Sequence, residues 1–374
     1  MIFNYNLRNY NFRIVLYMLF LSIAGILVLR SASGGDSSVV GKQIMGVALS
    51  FTACIIISFI DYHKIFRFNI LIYVGCVVLL IAVLIAGHNS HGATRWLNIF
   101  GFTVQPSEFL KVGLIIVLSW YAAKNQERIN KPSVLGTAVL LVAFPVGLVL
   151  AQPNLSTSIV ITIPLIFIIY AAGLSYKWIG GVLAVGIPAG GLFLYLAQYG
   201  IVPFLHQYQA QRILAKIFHG SAQYADANSQ QDKSIMAIGS GQLWGKGLNN
   251  VGVGSVKSGN FVAEDQTDFI FAVIGEELGF VGSMVIISVL ALLVFECLLT
   301  ASRAKDMGGR LVCIGIAVLI GFQGFANIAV ATGIFPNTGL PLPFISSGIS
   351  SLLSTFIGMG IVLNIGLQRK SNNN

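Results

Sequence analysis

The sequence predicts an all-α polytopic membrane protein of about ten transmembrane helices, with a long extracytoplasmic loop between the seventh and eighth. Three observations carry this. The 374-residue chain is 56% hydrophobic and only 9% charged, where a soluble domain carries about 25% charged residues. Apolar runs of a length that crosses a bilayer recur from end to end. The basic residues are also sorted between alternate loops, as the positive-inside rule requires.

The predicted spans are 13–30, 41–60, 68–87, 107–123, 133–151, 156–172, 178–197, 267–300, 309–333 and 346–367. The basic N-terminus runs into the first of these without a small-residue cleavage site, so it reads as a span rather than a removed signal. An even number of spans puts both termini on one side. If that side is the cytoplasm, the short inner segments and tails hold 13 of the 22 basic residues, including Arg13, Lys64, Arg67, Lys124, Arg303 and Arg369. The net charge of +9 therefore reports topology. Nucleic-acid binding is excluded, because no basic, aromatic-interleaved soluble segment exists to host it. The four cysteines stand singly in apolar runs, which supports neither a disulfide framework nor a zinc site. The chain reads as a single domain over 1–374, with 198–266 as a loop within it.

The polar segments between spans carry the functional signal. Between spans three and four lie Arg95-Trp96 and then Gln105-Pro-Ser-Glu-Phe-Leu-Lys111. Ser107 is placed to cap span four, and Glu108 and Lys111, three apart, share a helix face and can pair. Such a pair either lines a polar interior or anchors the helix at the interface; Trp96 alone reads as an aromatic-belt residue. Within the long loop, 203–219 has the spacing of a helix lying in the membrane interface, with Arg212 on it. A glycine-rich run follows, with Gly239, Gly241, Gly245 and Gly247 flanking Lys246. These glycines allow close backbone approach, but the spacing is not that of a nucleotide-binding loop. The last outer loop, 333–348, is rich in proline and glycine yet apolar, which suits a re-entrant or pocket-lining segment.

Residues 264–280 hold five of the chain's 13 acidic residues, where the long loop gives way to span eight. Carboxylates in or beside a span are costly and point to function. Asp268 reads either as a helix cap or as a site residue.

Taken together, Arg95-Trp96, Gln105–Lys111, Gln211-Arg212, Ala237-Ile-Gly-Ser-Gly241, Gly245-Lys-Gly247, Thr267-Asp-Phe-Ile-Phe271, Gly275-Glu-Glu-Leu-Gly279 and Thr338–Ser346 resemble the shape, elongation, division and sporulation (SEDS) family, over nearly the whole chain and in order. There are departures: Pro153-Asn154 where the family often has Pro-Asp, Val262-Ala263-Glu264 before the acidic stretch, Gln242 in place of a loop glycine, and Ser346-Ser-Gly-Ile-Ser350 near the last span. The length and the Gly339–Phe344 wording lean towards the RodA branch.

The resemblance implies a peptidoglycan glycosyltransferase of the bacterial cytoplasmic membrane. Such enzymes polymerise lipid II into nascent glycan at the outer face, beside a class B penicillin-binding protein. It places the family's essential aspartate on Asp268, as general base for an inverting transfer from an undecaprenyl-pyrophosphate donor. Arg95, Lys111, Arg212 and Lys246 are then the candidates to face the leaving pyrophosphate. Trp96, Glu108, Glu264 and Ser346 complete the expected substrate-binding set. The sequence requires no cofactor; magnesium or manganese held by Glu264 or Asp268 with the pyrophosphate is compatible with the chemistry. Two other classes stay open at this stage, a lipid II flippase and a non-catalytic scaffold. Charge along a midplane path would favour the flippase, and here the charges gather at the outer ends of the spans.

Overall fold

The computed structural model describes residues 9–90, 93–99, 102–198, 225–249 and 266–368. The expected helix at 203–219, with Arg212 and Glu264, lies outside them. The described chain is almost entirely helical. Its elements are α1 (Phe12–Ala32), α2 (Ser37–Ser58), α3 (Tyr62–Arg67), α4 (Asn69–Ala86), β1 (His88–Ser90), β2 (Ala93–Ile99), β3 (Phe102–Val104), α5 (Pro106–Lys124), α6 (Pro132–Ala151), α7 (Leu155–Ala171), α8 (Tyr176–Gln198), α9 (Ala225–Ser240), α10 (Ile270–Ser302), α11 (Met307–Ala331) and α12 (Ile349–Leu367).

Eight of the described helices are long and apolar enough to cross a membrane: α1, α2, α4, α5, α6, α10, α11 and α12. α7 is apolar but has 17 residues, and α8 occupies the position of the seventh expected span. α5 and α12 are the most enclosed, with 78% of the spanning window buried, and α11 follows at 67%; α4 and α6 bury only 17% and present apolar faces outward. The bundle is therefore built around α5, α11 and α12. Its outer helices carry the exposed Ile70, Leu71, Val139 and Leu140 that hydrocarbon would cover.

Short polar side chains set the helix starts. Asp36, Asp61, Asn154 and Asp306 each accept a backbone N–H at the beginning of α2, α3, α7 and α11. Two expected caps differ. α5 begins at Pro106 with Gln105 in the cap position, so Ser107 is already helical and buried; proline's fixed φ suits the first helical residue. At α10 the cap position is Phe269, one residue after Asp268.

The segment between α4 and α5, expected as a loop, is a three-stranded antiparallel sheet in the order β1-β2-β3. The pairings Ser90↔Ala93 and Ile99↔Phe102 each leave two residues between strands. At both places the sequence is a residue followed by glycine, His91-Gly92 and Phe100-Gly101, a hairpin signal.

α10 is broken near its start. Gly279 has φ 65° and ψ −164°, which frees backbone groups that a bilayer cannot satisfy. The glycine-rich segment satisfies them. Lys246 and Gly247 donate their N–H groups to the carbonyls of Glu276 and Glu277 at 2.9 and 3.0 Å, and Phe280 and Val281 donate to Gln242 and Leu243 at 2.8 and 3.1 Å. A Cβ at Gly241 would lie 1.9 Å from the Gly275 carbonyl oxygen, and one at Gly245 would lie 2.1 Å from that of Glu277. Only glycine allows so close an approach.

Candidate active site

Asp268 sits in the turn 266–269, partly exposed, directly ahead of α10. α10 runs from this end of the bundle to the opposite one, where its last turn meets residues 9–13 and Gly366. The turn is held from two sides. Asn327 on α11 donates Nδ2–H to the Asp268 carbonyl at 2.8 Å and to the Leu340 carbonyl at 2.6 Å. Ser346 donates its hydroxyl to the Thr267 carbonyl at 2.7 Å and accepts the Leu342 amide at 2.8 Å. The Ser347 amide reaches the Gln266 carbonyl at 3.0 Å. The loop 333–348 thus folds back against the turn, with Leu340, Leu342, Phe344 and Ile345 buried, as its apolar composition predicts. Gly339, at φ 65°, comes so close to the Asp268 carboxylate that a Cβ there would lie 3.0 Å from Oδ2.

Glu108 and Lys111 are both buried, so the pair faces the interior rather than the interface. Lys111 Nζ is 2.8 Å from Glu108 Oε2 and donates to Gln323 Oε1 at 2.9 Å. Gln323 in turn donates to the Pro341 carbonyl at 3.0 Å. Glu108 also lies in the first turn of α5, where the helix dipole favours a negative charge. Gln323 and Asn327 are four apart and share one face of α11. They join the Glu108–Lys111 pair, the proline-rich loop and the Asp268 turn into one connected network. Neither was singled out in the sequence, although two amides at i and i+4 in an apolar span carry the same signal as an intramembrane charge.

The other expected residues lie around this centre. Arg95, on β2, donates Nε–H to the Gln152 carbonyl at 3.3 Å and Nη2–H to the Pro153 carbonyl. The sheet is thereby tied to the α6–α7 turn, whose Asn154 caps α7. Trp96, next on β2, is partly buried. Lys246 lies 2.8 Å from Glu276 across the break in α10, and Glu277 accepts the Ser31 hydroxyl of α1 at 2.5 Å. The described part of the long loop also docks on the bundle. Gln231 and Ser234 of α9 donate to the carbonyls of Val330 and Ala331 at the end of α11 and of Phe335 just beyond it. Among the described residues no three His, Cys, Asp or Glu side chains gather in a way that could hold a metal ion.

The FtsW/RodA/SpoVE profile, described as a cell cycle protein, matches residues 11–371. The peptidoglycan glycosyltransferase MrdB of Escherichia coli K12 is 33% identical over 361 residues, covering 95% of this chain and 93% of that protein. A probable peptidoglycan glycosyltransferase FtsW of Geobacter metallireducens is 32% identical, covering 97% of this chain and 96% of that protein. Among solved structures, a chain from a study of how a peptidoglycan synthase complex coordinates polymerization and crosslinking superposes with a TM-score of 0.80. It is 26% identical and covers 97% of this chain and 99% of that one. Matched by the family profile over residues 11–371 and by relatives along nearly its whole length, this chain belongs to the FtsW/RodA/SpoVE family of multi-pass membrane proteins.

Proposed function

We propose that this chain is a peptidoglycan glycosyltransferase that polymerises lipid II at the outer face of the cytoplasmic membrane, with Asp268 as its general base. The observation that carries the reading is the placement of Asp268. Its carboxylate lies partly exposed at the end of the bundle away from the chain termini, and its backbone is clamped by Asn327 and Ser346. Relatives of matching length are named for this activity.

In the reaction, Asp268 accepts the proton of the acceptor sugar's 4-hydroxyl as that oxygen bonds to C1 of the donor. The C1–oxygen bond to the pyrophosphate breaks, and undecaprenyl pyrophosphate leaves with the electron pair, inverting the anomeric centre. Proton transfer by a positioned carboxylate of this kind is worth about 10²–10⁴ in rate. The leaving group is already a good one and needs no proton. Lys111 and Lys246 are neutralised by Glu108 and Glu276, so they act by holding the proline-rich loop and the glycine-rich segment. Arg95, whose guanidinium also holds the Gln152 and Pro153 carbonyls, and Arg212 are the cations proposed to meet the pyrophosphate. Glu264 and Asp268 are the carboxylates that would hold a divalent cation with it. Ten crossings with both termini in the cytoplasm follow from the charge sorting. A class B penicillin-binding protein is the partner that the family resemblance implies, and a similar chain solved in a complex that coordinates polymerization with crosslinking supports it. Elongation fits slightly better than division or sporulation, on the loop wording Gly339–Phe344.

The test is glycan synthesis from purified lipid II by the wild type and by Asp268→Asn, each with and without a candidate penicillin-binding partner. The expected outcome is lipid-linked chains from the wild type and none from the folded variant. Equal synthesis by both would remove Asp268 from the mechanism. No synthesis by either with every partner supplied would turn attention to lipid II movement across the membrane, or to a scaffolding role.

A further inference from the structure

At the opposite end of the bundle, a cavity of about 570 Å³ opens between α3, the last turn of α5 and the start of α11. Its walls include the apolar side chains of Phe66, Trp120 and Met307, and its charged lining is Arg67, Lys124, His63 and Asp306. Two of these four are already occupied. Asp306 accepts the Tyr62 hydroxyl at 2.5 Å and the Gly309 amide at 2.8 Å. His63 lies between two carboxylates, Nδ1 2.9 Å from Asp61 and Nε2 2.8 Å from Asp306. Arg67 and Lys124 are exposed and pair with no carboxylate among the described residues; Lys124 Nζ instead lies 5.0 Å from the centre of the Trp120 ring. The charge presented to an incoming group is therefore positive, over an aromatic and thioether floor.

The surroundings say what kind of group this is. Arg67 is followed by Phe68, in the cap position of α4, and then by Ile70, Leu71 and Val74 on α4, all exposed and apolar, which begin its outward stripe. The cavity sits where that stripe begins, so a molecule with phosphate at Arg67 and Lys124 can lay hydrocarbon along α4. Free phosphate would leave the apolar walls uncovered. Cations at helix C-termini complement the helix dipole in many proteins, but that role does not require two of them to converge on one aromatic-walled cavity.

We propose that this cavity binds the headgroup of an anionic phospholipid, with Arg67 and Lys124 as phosphate contacts and the outer face of α4 as the acyl-chain surface. Basic pockets between membrane helices hold such headgroups, and each cation contributes about fivefold to the attraction.

The experiment is native mass spectrometry of the full-length protein, titrated with phosphatidylglycerol or with phosphatidylcholine of the same chains. It is run on the wild type, on Arg67→Gln with Lys124→Gln, and on a control pair at the same end but outside the cavity, Arg128→Gln with Lys131→Gln. A charge-keeping pair, Arg67→Lys with Lys124→Arg, reports on folding. Phosphatidylglycerol should bind the wild type at least tenfold more tightly than phosphatidylcholine. The cavity pair should remove about 30-fold, the control pair less than threefold, and the charge-keeping pair should retain most binding. Equal loss from the cavity and control pairs would reduce the effect to general surface charge and overturn the site. Equal binding of the two lipids would do the same. Displacement of the lipid by millimolar inorganic phosphate or glycerol phosphate would show a free-phosphate site and overturn the lipid assignment.

Discussion

At the residue scale, two side chains test whether the network around Asp268 is a positioning device. Asn327→Leu removes the donor from two carbonyls at once, those of Asp268 and Leu340. An unmet buried polar group costs about 1–3 kcal/mol, so the variant should melt several degrees lower and polymerise poorly even where it stays folded. Comparing glycan synthesis with thermal stability separates the two effects. Lys111→Met leaves Glu108 buried without its cation, a loss of about 3–5 kcal/mol for a broken buried pair. Adding Glu108→Gln should restore much of the stability without restoring synthesis, as circular dichroism melts alongside activity would report. Of this network Asp268, Glu108, Lys111 and Ser346 were legible in the sequence, because charge in an apolar chain is conspicuous and the rest came with a family pattern. Gln323 and Asn327 were not. An amide is a weak signal alone, and its meaning here depends on a loop 13 to 18 residues later and a turn 59 residues earlier.

At the scale of elements, the break in α10 and the glycine-rich segment form one unit. Gly241→Ala places a methyl 1.9 Å from a backbone oxygen, and no rotamer change can relieve a backbone clash. The expected outcome is loss of folded protein on size-exclusion chromatography. Gly239→Ala, two residues away with open space around it, should express and melt like the wild type. The need for close approach was readable from the glycine spacing; its partner, the carbonyls of Gly275 and Glu277, was not, since nothing local says which helix will break. The sheet at β1–β3 shows the converse. Two X-Gly pairs stand between its strands in the sequence, yet an expectation of unbroken helices and loops passed over this hairpin signal.

At the scale of the whole molecule, the termini end of the bundle is held by a polar cluster. Gln368 donates to Asp61 at 3.0 Å, and the Tyr62 amide donates to Asn364 at 3.0 Å. His63 bridges Asp61 to Asp306, so the cluster fastens α3, α11 and α12 together. Burial alone would raise the Asp61 and Asp306 carboxyls. Hydrogen bonds to Gln368, Tyr62, His63 and the Gly309 amide, with the adjacent His63 ring, outweigh it and hold both below the ordinary carboxylate value. A depressed carboxylate stabilises the fold fully above its unfolded-state pKa, and that contribution drains as pH falls through the folded-state value. Thermal stability should therefore be level near neutrality and decline into the acid range. Asp306→Asn should start lower and decline less steeply, by scanning fluorimetry from neutral to acid pH. The bundle itself was legible because hydrocarbon imposes long apolar helices; the way the ends are tied was not, because these contacts join residues as far as 307 positions apart.

The clamp on the Asp268 turn also bears on timing during synthesis. Among the described residues, the two side chains that bond to the backbone of the turn, Asn327 and Ser346, both come later in the chain, and Ser346 reaches back across 79 residues to Thr267. While the chain is being made, Asp268 emerges well before Asn327, Leu340 and Ser346 exist to hold its turn. A nascent chain that already has most of its helices is thus not yet a competent catalyst. With Asp268 as the proposed base, activity is expected only once the loop 333–348 has folded back against its turn.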